Sequence, residues 1–174
     1  MPFTIYDASA PVFIAALTNM EAWLEKALAG GGAEAALAEA RLAPDMRPLT
    51  AQFQMASDSA KNAIARLTGV TAPSMPDTET TFAELKARCR ATVAFIESVD
   101  RAAFAGAEDR TVELKFPNGM GYSFSGAVFL TGFALPNFYF HATTAYAILR
   151  ANGVGLGKPD FLAHLGQPNI GPKA

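Results

Sequence analysis

Apolar residues recur every three or four positions over most of the chain, the spacing of helices that bury one face. Phe13, Leu17, Met20, Leu24 and Leu28 form a first stripe. Asp7 or Ser9 can cap this helix, and Pro11 fits its first turn, where a missing N–H has no partner to lose. Gly30 to Gly32 end it, and an alanine-rich stretch, Ala33 to Arg41, has bulk for only a turn or two of helix. A second long helix is expected from Pro48 to Leu67, with Leu49, Phe53, Ala56, Ala60, Ile64 and Leu67 inward and Gly69 as its stop. Pro73 and Pro76 mark a loop, after which Asp77 or Thr78 is placed to cap a third helix. Phe82, Leu85, Cys89, Thr92 and Ile96 line the inner side of that helix, and Lys86, Arg88, Arg90 and Glu97 are expected to avoid it.

Past Asp100 the period changes from helical to alternating. Val112, Leu114 and Phe116 alternate with Thr111, Glu113 and Lys115, "PNGMG" supplies a turn, and Tyr122 and Phe124 alternate again. This is a β-hairpin, at about residues 110–125, that must rest its ring-bearing face on helices to be stable in water. The final long helical region is expected to be bent or split by Pro136 into Ala127–Leu135 and Pro136–Ala151. In the second piece Phe138, Tyr139, Phe140, Tyr146, Ile148 and Leu149 surround the helix, which predicts burial on all sides. Asn152 and Gly153 close it. "KPDFLAHL" is expected to form a last short helix, and the tail from about 165 to 174 to be poorly ordered.

A chain of 174 residues is long enough to build a core as one domain without disulfides. At 51% hydrophobic and 17% charged it is apolar for a soluble protein, which suggests that a partner covers part of the surface. The net charge of −2, with no basic run, argues against nucleic-acid binding. Cys89 is the only cysteine, which excludes a disulfide within the chain and suits a reducing cytoplasm. The N-terminus lacks the basic head and apolar run of a secretion signal. Residues 116 to 149 carry no Asp, Glu, Lys or Arg, yet Gly132, Pro136, Asn137 and His141 interrupt them, so a buried helix is favoured over a membrane span.

Candidate chemistry centres on His141. The positions three and four residues away are Phe138, Thr144, Asn137 and Ala145, so no strong metal ligand stands beside it on its helix, and no native metal or other cofactor is expected. "FSG" lacks the flanks of a nucleophile elbow. Cys89, on an apolar face, reads as a small buried hydrophobe. "GVGLGKPD" follows a helix and meets Pro159, which fails the context of a phosphate loop. The second helix places Gln52, Gln54, Asp58 and Asn62 among small side chains. A polar pocket there can open against Asn137 and His141, although a solvated outer face fits the same pattern. The candidate ligand-binding residues are therefore His141, Asn137, Gln54 and Asp58.

The blocks "YDASAPVF", "RLAPDMRPL", "DTETTFAELKAR", "LKFPNG", "GFALPNFYFHATTAYAILRANGV" and "GKPDFL" resemble those of a bacterial family, the domain of unknown function DUF1993. The resemblance implies a mainly all-α fold, a DinB-like four-helix bundle in up-down-down-up order with the hairpin inserted before the last long helix. Many DinB-like proteins dimerise, many hold a metal on three histidines, one from the second helix and a spaced pair from the last, and some transfer low-molecular-weight thiols. Here the pair is reduced to His141, with Ala145 four residues on, and the second helix has no histidine. The expectation is a cytoplasmic homodimer that binds a small molecule between the second and last long helices, without a metal triad, nucleic acid or membrane. A metal- or thiol-dependent transferase or hydrolase using His141, and a non-catalytic structural or stress-related interaction module, are the alternatives.

Overall fold

The computed structural model describes residues 2–167 and 169–170. Four long helices carry the architecture. Helix α1, Ala10–Ala29, is followed by the short α2, Glu34–Glu39, and then by α3, Leu49–Thr68, and α4, Phe82–Ser98. A 3₁₀ turn over Arg101–Phe104 leads into the antiparallel strands β1, Thr111–Lys115, and β2, Gly121–Ser125. The one-turn α5, Gly126–Phe129, passes through a π-helical turn, Leu130–Ala134, into α6, Leu135–Ala151, and α7, Lys158–Phe161, with a 3₁₀ turn at Ala163–Leu165, follows. In the bundle α1 packs on α4, α4 on α3, α3 on α6, and α6 returns to α1. None of these helices is long and apolar enough to cross a membrane. Of the tail expected to be disordered, 168 and 171–174 lie outside the described residues.

The stripes read from the sequence form the core. Phe13, Leu17, Met20 and Leu24 of α1, the six inward residues named for α3, and Phe82, Leu85, Cys89, Thr92 and Ile96 of α4 are all buried, while Leu28 is exposed. Trp23, outside the predicted stripe, completes the α1 face and stacks on Phe161, its indole N–H reaching the Asp160 carbonyl at 3.1 Å. Gly69 ends α3 in the left-handed conformation, φ 80°, its N–H returning to the Ala65 carbonyl.

Two helix starts differ from expectation. Ser9 occupies the first cap position but its hydroxyl donates backward to the Ile5 carbonyl at 2.6 Å, and Asp7 joins Thr4 and Arg101 instead. At α4 the cap is Thr81, not Asp77 or Thr78. Thr81 and Glu84 form a reciprocal capping box, whose backbone donors hold the Glu84 carboxyl down to about 2.

Pro136 stands in the first turn of α6, within a residue of the expected break. It removes the N–H that would have met the Gly132 carbonyl, and the turn before it widens so that Leu135 N–H reaches back five residues to Leu130. The second piece is not buried all round: Phe138, Ile148 and Leu149 are interior, but Tyr139 and Phe140 face solvent, Phe140 at 56% exposure. The hairpin shows a similar division. Val112 and Leu114 are buried, whereas Phe116 and Tyr122 remain exposed at the outer end of a run of rings continuing through Phe124, Phe129 and Phe133.

Gly126 fixes how the hairpin meets the helix. A Cβ there would fall 1.8 Å from the Ala107 carbonyl oxygen and 3.2 Å from a Leu67 methyl. Since the obstruction is backbone, Gly126→Ala should destabilise the protein by about 1–3 kcal/mol, read by urea denaturation.

Candidate functional site

Two helices and the hairpin enclose a cleft of about 330 Å³. From α3 it receives Met55, Asp58, Ser59, Asn62 and Arg66, residues whose spacing puts them on one side of the helix. Phe129, Phe133, Ala134, Asn137 and His141 face them, and Leu114, Lys115 and Phe116 at the end of β1 form the third wall. Two cross-links set the register between helices. Asn137 Nδ2 donates to Ser59 Oγ at 3.1 Å, and His141 Nδ1 lies 2.9 Å from Gln52 Oε1. As α6 advances from 137 to 141, α3 retreats from 59 to 52, so the two run antiparallel along the cleft.

The protonation of His141 follows from its neighbour. Gln52 Nε2 donates to the Arg47 carbonyl at 3.0 Å, which turns Oε1 toward the imidazole. An amide oxygen only accepts, so Nδ1 carries the proton and Nε2 presents a lone pair. Nε2 has no hydrogen-bond partner among the described residues. Burial lowers the His141 pKa below its ordinary 6.5, which leaves the ring neutral at pH 7.

Behind the cleft lies a buried ion cluster. The side chain of Arg88 is only 2% exposed, contrary to the expectation that it would avoid the inner face of its helix. The guanidinium meets Asp58 at 2.8 Å, Asp77 at 2.9 Å and Glu79 at 2.9 Å, and also the Pro76 carbonyl at 3.2 Å. Burial alone would lower its pKa, but Glu79, Asp58 and Asp77 outweigh burial and raise it. Asp58 Oδ1 accepts from both Arg88 and the buried Lys61. Glu79 is likewise opposed by burial, yet hydrogen bonds from Gln54 and Arg88 hold its carboxyl below the usual range.

The four predicted site residues therefore part company. His141, Asn137 and Asp58 line the same cleft, whereas Gln54 is turned toward α4 and donates to Glu79 Oε2 at 3.0 Å. Gln52, two residues earlier, holds the position beside His141. Ser59, Arg66 and the aromatic wall of Phe116, Phe129 and Phe133 were not singled out for a site. The only signal for the α3 pair was their shared helical face with Asn62 and Asp58.

The residues do not fit a three-histidine centre. Position 145 is an alanine at 0% exposure, α3 carries no histidine, and His164 lies against α1, where its Nδ1 accepts from Asn19 Nδ2 at 3.0 Å. Among the described residues no three of His, Cys, Asp or Glu are placed to hold a metal ion. Cys89 is buried, which pushes its thiol up to about 12, and it takes no part in the cleft.

A mainly helical bundle with an inserted hairpin is the form of a DinB-family protein. The fold resembles the crystal structure, at 1.83 Å resolution, of a DinB family member protein from Shewanella denitrificans, with a TM-score of 0.85. The two chains are 39% identical over 97% of this chain and 96% of that one. Residues 5–162 match the family described as Domain of unknown function (DUF1993), and the chain belongs to that family. No curated protein matches it.

Four measurements probe this arrangement. The His141 ring should titrate with a midpoint below 6.5 in ¹H–¹³C NMR, a midpoint at or above that value contradicting the desolvated setting. A depressed folded pKa means the unfolded chain binds the proton more readily, so stability should fall as pH drops below 6.5, and His141→Gln should flatten that slope. Arg88→Ala, which leaves three carboxylates without their shared cation, should cost about 3 kcal/mol in urea denaturation. Native Cys89 should resist a thiol reagent until the protein unfolds.

Proposed function

We propose that this protein binds a small organic molecule in the cleft between α3 and α6, through its own side chains and without a metal triad. The carrying observation is the half-buried imidazole of His141, whose Nδ1 is committed to Gln52 while Nε2 is unpaired among the described residues of the cleft wall. An interior histidine that served packing alone would have both nitrogens satisfied inside the protein. Asn137 adds to this reading, since its Nδ2 is used on Ser59 and its carbonyl oxygen remains an acceptor. Concave shape, an apolar wall and a few converging polar groups are the ordinary features of such sites.

Protein-observed NMR with a fragment library tests the proposal. Shifts should concentrate on the side-chain amides of Asn62 and Asn137 and on the His141 ring, and His141→Ala should weaken those fragments about tenfold. A library that leaves these signals unmoved overturns the reading. Elemental analysis of protein purified without chelator supplies the other arm, because stoichiometric zinc, nickel or iron would favour the transferase or hydrolase reading.

The proposal includes a homodimer. Exposed Tyr139 and Phe140 on the outer side of α6 support it, because adjacent rings in water mark a surface suited to a partner. Light scattering at micromolar concentration should give twice the monomer mass, and a Phe140→Glu variant should give the monomer.

A further inference from the structure

We propose that the ligand of the cleft is an elongated zwitterion, with an ammonium group at the Asp58 end, a carboxylate at the Arg66 end and an apolar chain between them. This rests on the cleft being a small-molecule site, and it adds the chemical class of the occupant.

The first end is rich in hydrogen-bond acceptors. His141 Nε2, Asn137 Oδ1 and Asp58 Oδ2 all accept, and the two cations that hold Asp58 both contact its other oxygen. Asp58 Oδ1 is held by Lys61 and Arg88, and neither cation contacts Oδ2. A group that donates several hydrogen bonds satisfies these acceptors, and a primary ammonium does so in the smallest volume.

The second end carries a positive charge. Arg66 has no ion-pair partner among the described residues, and partial burial lowers its pKa from the ordinary arginine value while leaving it charged. Lys115 nearby is occupied by Glu113 at 2.8 Å. An unpaired guanidinium at a cleft mouth calls for an anion, and a carboxylate matches its paired N–H geometry. The middle of the cleft is walled by Phe116, Phe129 and Phe133, which excludes a polar linker and favours methylenes.

Distance separates this class from ordinary amino acids. Asp58 and Arg66 are eight residues apart on one helix, roughly 12 Å of rise. An α-amino acid carries both charges on one carbon and cannot reach both ends. A chain of about eight carbons can.

The test is isothermal titration calorimetry at pH 7.5 with ω-aminooctanoate, octanoate, octylamine and glycine as matched probes. ω-Aminooctanoate should bind at least tenfold more tightly than either single-headed chain, and glycine should show no binding. Arg66→Gln, a change at the cleft rim and outside the core, should reduce ω-aminooctanoate to the affinity of octylamine and leave octylamine itself unchanged. Asp58→Asn, checked for folding by circular dichroism, should instead reduce it toward octanoate; Asn137→Leu supplies the same comparison if Asp58→Asn does not fold. Octanoate or octylamine binding as tightly as ω-aminooctanoate overturns the zwitterion, as does indifference to Arg66→Gln. If all four probes fail while fragments still shift the cleft signals, this inference falls and the small-molecule site stands. If the fragments fail too, both fall.

Discussion

A guanidinium with almost no surface in water must find its hydrogen bonds inside the protein, and Arg88 on α4 can find them only if α3 and the loop before α4 arrive together. Asp58 comes from the middle of α3, Asp77 and Glu79 from the loop before α4, and the Pro76 carbonyl from the same loop. That requirement ties α3 to α4 and gives the proline-containing loop one conformation. It also reaches the cleft, because the carboxylate that Arg88 holds is the one that forms part of the cleft wall. Lys61, one turn along, meets the same oxygen and leaves the second oxygen of Asp58 directed elsewhere. Core and site thus share a single polar anchor.

The opposite wall depends on a local irregularity. Pro136 forces the turn before it to widen, and the widened turn ends at Ala134, whose carbonyl accepts Ser59 Oγ at 3.4 Å while Asn137 donates to the same hydroxyl. Because α6 is laid on α3 through these side chains, His141 arrives opposite Gln52. The glutamine then decides which imidazole nitrogen carries the proton. Chemistry at the cleft is therefore that of a neutral acceptor, which differs from the metal-holding histidines implied by resemblance to other DinB-like proteins. With alanine four residues beyond His141, α6 offers the cleft a single imidazole.

Several elements were readable from residue order because their causes are local. The inward positions of α1, α3 and α4 follow from three- and four-residue spacing, the stop at Gly69 from the freedom of glycine at positive φ, and the hairpin from alternation around "PNG". Errors arose where a local pattern had competing solutions. Thr81 was passed over as a cap in favour of residues nearer the proline, although Glu84 three residues later completes its box. Phe140 and Tyr139 were assigned to the interior by their size, and no local rule separates a buried ring from one on an outer face. Of the site, His141, Asn137 and Asp58 were legible as polar groups on facing helices, but Gln54 was not distinguishable from Gln52. Two residues apart on a helix, they point about 200° apart, and only the position of α6 selects between them.

Residue order alone was enough for the apolar faces of α1, α3 and α4, for the stop at Gly69 and for the lack of a histidine pair at metal-ligand spacing, since these depend on residues within a turn or two of one another. Tertiary structure alone decided that Arg88 lies inside, that Gln52 orients His141, and that α3, α6 and the hairpin leave a cleft between them. These outcomes rest on partners far apart in the chain, 30 residues for Asp58 and Arg88 and 89 for Gln52 and His141. A buried charge or an imidazole tautomer is set by whatever group stands within about 3 Å of it, and that distance is fixed by packing, not by sequence spacing.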